Sequence, residues 1–142
     1  MSEHLHVSTS VKRFFSEYEK AFNELDMRKS AEFFADSFIS AGPNGTITTS
    51  KKDFLESGQK AVDFYRSVGQ KSAKIFSLEE SPITDQYSLV KVIWGVTFEK
   101  TGGKPIEFDV SYLLQKTGAK PKIILFIAHQ DEQKAMKELG LL

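Results

Sequence analysis

At 142 residues, with 40% hydrophobic and 27% charged side chains, the chain has the make-up of one globular domain burying about two-thirds of its unfolded surface. Lys+Arg and Asp+Glu both number 19, a balance that does not attract nucleic acid. There is no cysteine for disulfides or thiol chemistry, and no apolar run nears the ~20 residues of a membrane span, so a cytoplasmic protein with no membrane contact is expected.

Residues 1–8 read as a fraying start without the basic and apolar regions of a signal peptide. His4 and His6 lie there with no acidic cluster at ligand spacing, so no metal site is expected. Val11, Phe14, Phe15, Tyr18, Ala21, Phe22 and Leu25 recur at helical spacing behind a hydroxyl cap near Ser10. Asp26 caps a second, short helix through Phe34, and Asp36 serves to end it or to pin the next turn. Short strands follow at Asp36 to Ala41 and Thr46 to Thr49, around the turn Gly42-Pro43-Asn44-Gly45. Ser50-Lys51-Lys52-Asp53 has the form of a capping box with Asp for Glu. It opens a third helix with Phe54, Leu55, Gly58, Ala61, Val62 and Tyr65 on its inner stripe. Lys71 to Glu79 reads as a strand broken by Glu80-Ser81-Pro82, and the tail from Asp131 as a weak helix with Ala135, Met136 and Leu139 inward.

Between these lies a double hairpin, Val90–Lys100, Ile106–Gln115 and Ile123–Gln130. Gly102-Gly103 suits a two-residue turn with both glycines at positive φ. That turn sets Val96 opposite Asp109 and Trp94 opposite Ser111. One sheet face then carries Trp94, Val96 and Phe98 with Asp109, Ser111 and Leu113, a floor for a small-molecule pocket. The other carries Ile93, Gly95 and Thr97 with Phe108, Val110 and Tyr112, and a face so apolar calls for a second subunit. The order of elements gives an α+β fold with helices gathered on one face of a curved antiparallel sheet.

Two candidate groups stand out. Asp109, desolvated among Trp94, Val96 and Phe126, would have a pKa raised toward acid–base use; otherwise it is a solvated strand aspartate or the partner of a lysine. His129 is of a residue type that serves as a base, but no recognisable motif sets a Ser or Cys nucleophile beside it, and a satisfied structural histidine is expected. Trp94, Phe22, Phe34 and Phe126 either line a ligand cavity or fill it. No glycine-rich phosphate loop is present.

The phrase Ala21-Phe22-Asn23-Glu24-Leu25-Asp26, followed by Phe33-Phe34-Ala35-Asp36-Ser37, resembles the NTF2-like superfamily, which includes nuclear transport factor 2, ketosteroid isomerase, scytalone dehydratase and SnoaL-like cyclases. The resemblance runs from Val7 to Asp131 and implies a cone, with a pocket between helices and concave sheet and a homodimer through the outer sheet face. It aligns Tyr18 with the isomerase's oxyanion donor. The isomerase base falls on Gly42 and its second acid on Ser111, so steroid isomerisation is not expected. The last strand would turn Ile124, Phe126, Ala128 and Gln130 to the pocket and His129 away. The resemblance implies a SnoaL-like protein that binds or converts a small hydrophobic or aromatic molecule without a cofactor. In that reading Tyr18 and Asp109 are catalytic, and Phe22, Trp94, Val96, Ser111, Phe126 and Gln130 hold the ligand. The alternative is a non-catalytic dimerisation or protein-binding module whose cavity is filled by its own side chains.

Overall fold

The computed structural model describes residues 7–138; His4, His6, Leu139 and most of the expected frayed start lie outside the described residues. The elements are α1 (Thr9–Asn23), α2 (Met27–Ala31), β1 (Phe34–Gly42), β2 (Gly45–Ser50), α3 (Lys51–Ser67), β3 (Gln70–Pro82), β4 (Tyr87–Phe98), β5 (Ile106–Gln115), β6 (Lys122–Ala128) and α4 (Glu132–Glu138). The six strands form one curved, open sheet in the order β2-β1-β6-β5-β4-β3. All neighbours run antiparallel except β1 and β6, which are parallel. The expectation of an α+β fold with helices on the concave face holds, with that one parallel pair inside the sheet.

Local chemistry explains the helix boundaries. Ser8, two residues before the expected cap, accepts the Val11 N–H and starts α1. Val11, Phe14, Phe15, Tyr18 and Ala21 are its buried stripe, packed against β4 and β5. Asp26 and Ser50 cap α2 and α3 through the Lys29 and Asp53 amides. Between α1 and α2 the Asp26 N–H returns to the Ala21 carbonyl and the Leu25 N–H to Phe22, with Leu25 in the left-handed region at φ 53°. That is a Schellman closure made without glycine.

α1 also protects the open edge of the sheet. Asn23, polar and off the buried stripe, accepts the Ala73 N–H at 2.8 Å, and its amide donates to the Ala73 carbonyl. Glu19 accepts the Ile75 N–H at 2.6 Å. These side chains occupy backbone groups of β3 that an edge strand would otherwise leave open. β3 runs on through Glu80-Ser81-Pro82, where a break was expected, because Pro82 ends an edge strand and needs no ladder N–H. Asp36 lies within β1, exposed, 3.7 Å from Lys51, and ends no helix.

The pairing of β4 with β5 overturns the expected register. Trp94 meets Phe108 rather than Ser111, and Val96 meets Ile106 rather than Asp109, a slip of three residues. Gly102 and Gly103 do take positive φ, 65° and 87°. The strands part earlier, however. Phe98 pairs with Gln70 of β3, the Glu99 N–H donates to Gly69, and Glu99–Thr101 form one 3-10 turn. The end of β4 therefore stays with β3, while Pro105 has no N–H to extend the ladder to β5. An odd slip exchanges the faces of β5. Phe108, Val110 and Tyr112 turn inward and are buried, and Asp109 and Ser111 turn to the convex face.

A bulge between Leu113 and Leu114 opposes them to Leu125 and Ile123 and leaves Ile124 unpaired. Ile123, rather than Ile124, is the residue fully buried in the core. In the tail, Met136 is fully buried and Ala135 packs against the core, as the weak stripe anticipates.

Candidate functional site

Between the helices and the concave sheet lies a cavity of about 190 Å³. α1 supplies Tyr18 and Phe22, the start of β1 Phe34, and the end of α3 Tyr65. Trp94 and Val96 of β4, Phe108, Val110 and Tyr112 of β5, and Phe126 and Ala128 of β6 form the floor. Gln70 joins them at the start of β3, where Gly69, at φ 76°, turns the chain out of α3.

The walls are held by ring-to-ring packing. Phe22 lies over Trp94 with centroids 5.2 Å apart, and Tyr18 meets Trp94 and Tyr112 edge-on at 6.0 and 6.1 Å. The Trp94 indole N–H donates to the Tyr112 hydroxyl at 3.0 Å, which fixes the tilt of both rings. Among the lining residues no side chain carries a carboxylate, an imidazole or an ammonium group. What remains polar is a set of phenols, the indole and the Gln70 carboxamide. Gln70 Oε1 is shut away from solvent and accepts no hydrogen bond.

Of the residues singled out in the sequence, Tyr18, Phe22, Trp94, Val96 and Phe126 line this cavity, with Phe34 and Ala128. Asp109, Ser111 and Gln130 do not. Asp109 stands on the convex face 3.7 Å from Lys91, the lysine-paired state weighed above. Gln130 lies past the end of β6, where its Oε1 accepts the Asp109 N–H at 2.8 Å and its amide donates to Asp109 Oδ1 at 3.4 Å. Ser111 Oγ and His129 Nε2 share a hydrogen bond of 2.8 Å. His129 therefore faces away from the cavity as expected, and the three polar residues assigned to the pocket join it outside.

Among the described residues the concave side holds one buried carboxylate, which is not part of the cavity lining. Glu80, 8% exposed, accepts from the Ser8 N–H at 2.8 Å, the Ser88 hydroxyl at 2.6 Å and Lys116 Nζ at 2.7 Å. Burial pushes its pKa up, but the Lys116, Ser8 and Ser88 hydrogen bonds outweigh that and hold it at about 2. Such a group stays ionised and ties the start of α1 to β3 and β4; it is not poised to exchange protons. Sequence reading missed it because Glu80 sits two residues before Pro82 in what looked like a strand break. It missed the Gln70 site as well, although Gly69 ahead of it was a visible helix stop.

A curved open sheet with helices and an aromatic cavity inside its bend defines the cone class of α+β proteins. Residues 8–131 match the family described as NTF2-like protein (DUF6841), and the chain belongs to that family. Among solved structures it is similar to an NTF2-like protein of unknown function from Shewanella oneidensis: 13% identity, TM-score 0.71, covering 85% of this chain and 97% of that one. It is similar also to a domain of unknown function with a cystatin-like fold from Nostoc punctiforme, at 15% identity and TM-score 0.68, covering 96% and 89%. A ketosteroid isomerase-like protein from Erwinia carotovora shares 15% identity at TM-score 0.61, over 84% of this chain and 92% of that one. These likenesses show the fold alone. No curated protein matches the sequence. No described helix is long and apolar enough to cross a membrane.

Proposed function

We propose that the chain binds a small hydrophobic or aromatic molecule in the cavity between α1, α3 and the sheet, and does so without acid–base chemistry there. The observation that carries this reading is the lining itself: aromatic and aliphatic walls with few polar groups and none that titrates near neutral pH. Isomerisation, cyclisation or dehydration by proton transfer needs a base within hydrogen-bond reach of the substrate. Asp109, the carboxylate suggested for that role, lies on the far face of the sheet. The fold admits both binders and enzymes, and the lining favours the binder.

Trp94 is the sole tryptophan and part of the wall, so its emission reports occupancy directly. Small apolar and aromatic ligands are expected to shift or quench it. Ala128→Phe, which fills the cavity, is expected to abolish the response, and Asp109→Asn to leave it intact. Silence across a broad panel would count against the binding reading.

A second reading, self-association through the convex face, rests on Leu89 and Ile127. They are 37% and 40% exposed and share that face with Leu113 and Leu125. Sedimentation of the wild type against Ile127→Lys tests it: a dimer that falls to monomer supports the reading, and a monomer in both cases removes it.

A further inference from the structure

We infer that Asn44 is a site of spontaneous, selective deamidation, and that the carboxylate it becomes releases α4 from the β1–β2 turn. Two asparagines are present, Asn23 and Asn44, and their settings differ. The Asn23 carboxamide is held from both ends: its oxygen accepts the Ala73 N–H at 2.8 Å, and its nitrogen donates to the Glu19 and Ala73 carbonyls. Asn44 is exposed at the tip of a hairpin, and Gly45 follows it.

Deamidation begins when the backbone nitrogen of the next residue attacks the side-chain carbonyl carbon, a step that a side chain on that next residue hinders. Gly45 has none. The turn itself demands glycine there, because its φ of 131° is one that other residues rarely adopt. Gly42 and Gly45 make the last pair of the β1–β2 ladder, and a ladder end at an exposed tip opens at little cost. Attack of the Gly45 nitrogen on Asn44 Cγ closes a succinimide ring and expels ammonia. Water then opens the ring to aspartate or isoaspartate.

The consequence follows from the partner of Asn44. Its side-chain N–H donates to Asp131 Oδ2 at 3.2 Å, while Asp131 Oδ1 accepts the Lys134 N–H at 3.0 Å at the start of α4. One aspartate thus joins the hairpin tip to the helix that carries the fully buried Met136. A carboxylate has no proton to donate, so in place of the amide it sets two negative charges side by side and the contact turns repulsive. The groove beside this contact shares Phe126 and Ala128 with the aromatic cavity, which puts the loosened helix start next to that cavity.

Peptide mapping of the full chain held in mildly alkaline buffer tests the chemistry. Asn44 is expected to convert to aspartate and isoaspartate while Asn23 stays an amide; equal survival of the two would overturn the assignment. Hydrogen exchange tests the consequence. In Asn44→Asp, amides along α4 are expected to exchange about tenfold faster than in the wild type, the worth of one lost hydrogen bond, while those of β4 keep their protection. Adding Asp131→Asn restores a donor opposite the new carboxylate, keeps a capping side chain, and should return α4 toward the wild-type rate. Unchanged exchange in α4, equal quickening of β4, or a change that the second substitution fails to reverse would each overturn the coupling.

Discussion

The two faces of the central sheet carry one informative carboxylate each, and their fates differ. Glu80 on the concave side is enclosed by three donors, loses nearly all contact with water and is held ionised. Asp109 on the convex side keeps a looser ion pair with Lys91 at 3.7 Å, partly open to solvent. The same contrast holds for the aromatic residues: Trp94 and Tyr112 share a buried hydrogen bond inside, while Phe76 lies half exposed outside, its ring over Gly95 where any Cβ would collide with it. The position of a side chain on one face or the other, more than its type, decides whether it can take part in the cavity. That position follows from a few backbone hydrogen bonds at the strand ends.

Substitutions that remove volume from the concave face should have the largest effect. Trp94→Ala is expected to cost about 3–5 kcal/mol in denaturant unfolding, whereas Ile127→Ala on the convex face should cost under about 1 kcal/mol. Equal losses would erase the distinction between the faces.

Glu80 should dominate the acid limb of stability. Its folded pKa of about 2 lies below the ordinary 4.5, so its contribution is present in full above pH 4.5 and disappears as pH falls toward 2. The loss is on the order of 3 kcal/mol. Glu80→Gln should flatten that part of the pH profile, and a profile unchanged by the substitution would contradict the enclosed state of this carboxylate.

A smaller effect is expected at the aromatic pair. Tyr112→Phe removes the acceptor of the Trp94 N–H and should cost about 1–3 kcal/mol while shifting the tryptophan emission. Smallest of all, Asp109→Asn should change stability by about 0–1 kcal/mol and leave ligand binding unaltered, since a partly solvated pair 3.7 Å apart contributes little.

The sequence made the helices and their caps legible because those signals are local. Asp26 and Ser50 cap the helices that their positions suggested, and the stripe of α1 is buried as its spacing demands. The phrase that carries the family resemblance has a physical content as well: Asn23 clamps the edge strand and Asp26 starts the next helix. β-Register was not legible in the same way. Gly102-Gly103 has the backbone angles expected of it, yet the pairing is decided by Gly69 and Gln70, some thirty residues upstream, which hold the end of β4. Five of the suggested site residues line the cavity because Tyr18, Phe22, Trp94 and Val96 sit on α1 and β4, whose inner faces were read correctly, and Phe126 on the part of β6 beyond its bulge. Asp109 and Ser111 were misplaced together because they share β5.

The face assignment of β5 can be measured without a structure, since the chain has no cysteine to interfere. Asp109→Cys and Val110→Cys, each as a single variant, can be labelled with a maleimide under native conditions. The register predicts rapid modification at position 109 and strong protection at position 110. The reverse order would return the carboxylate to the cavity and contradict the arrangement on which the binding reading stands.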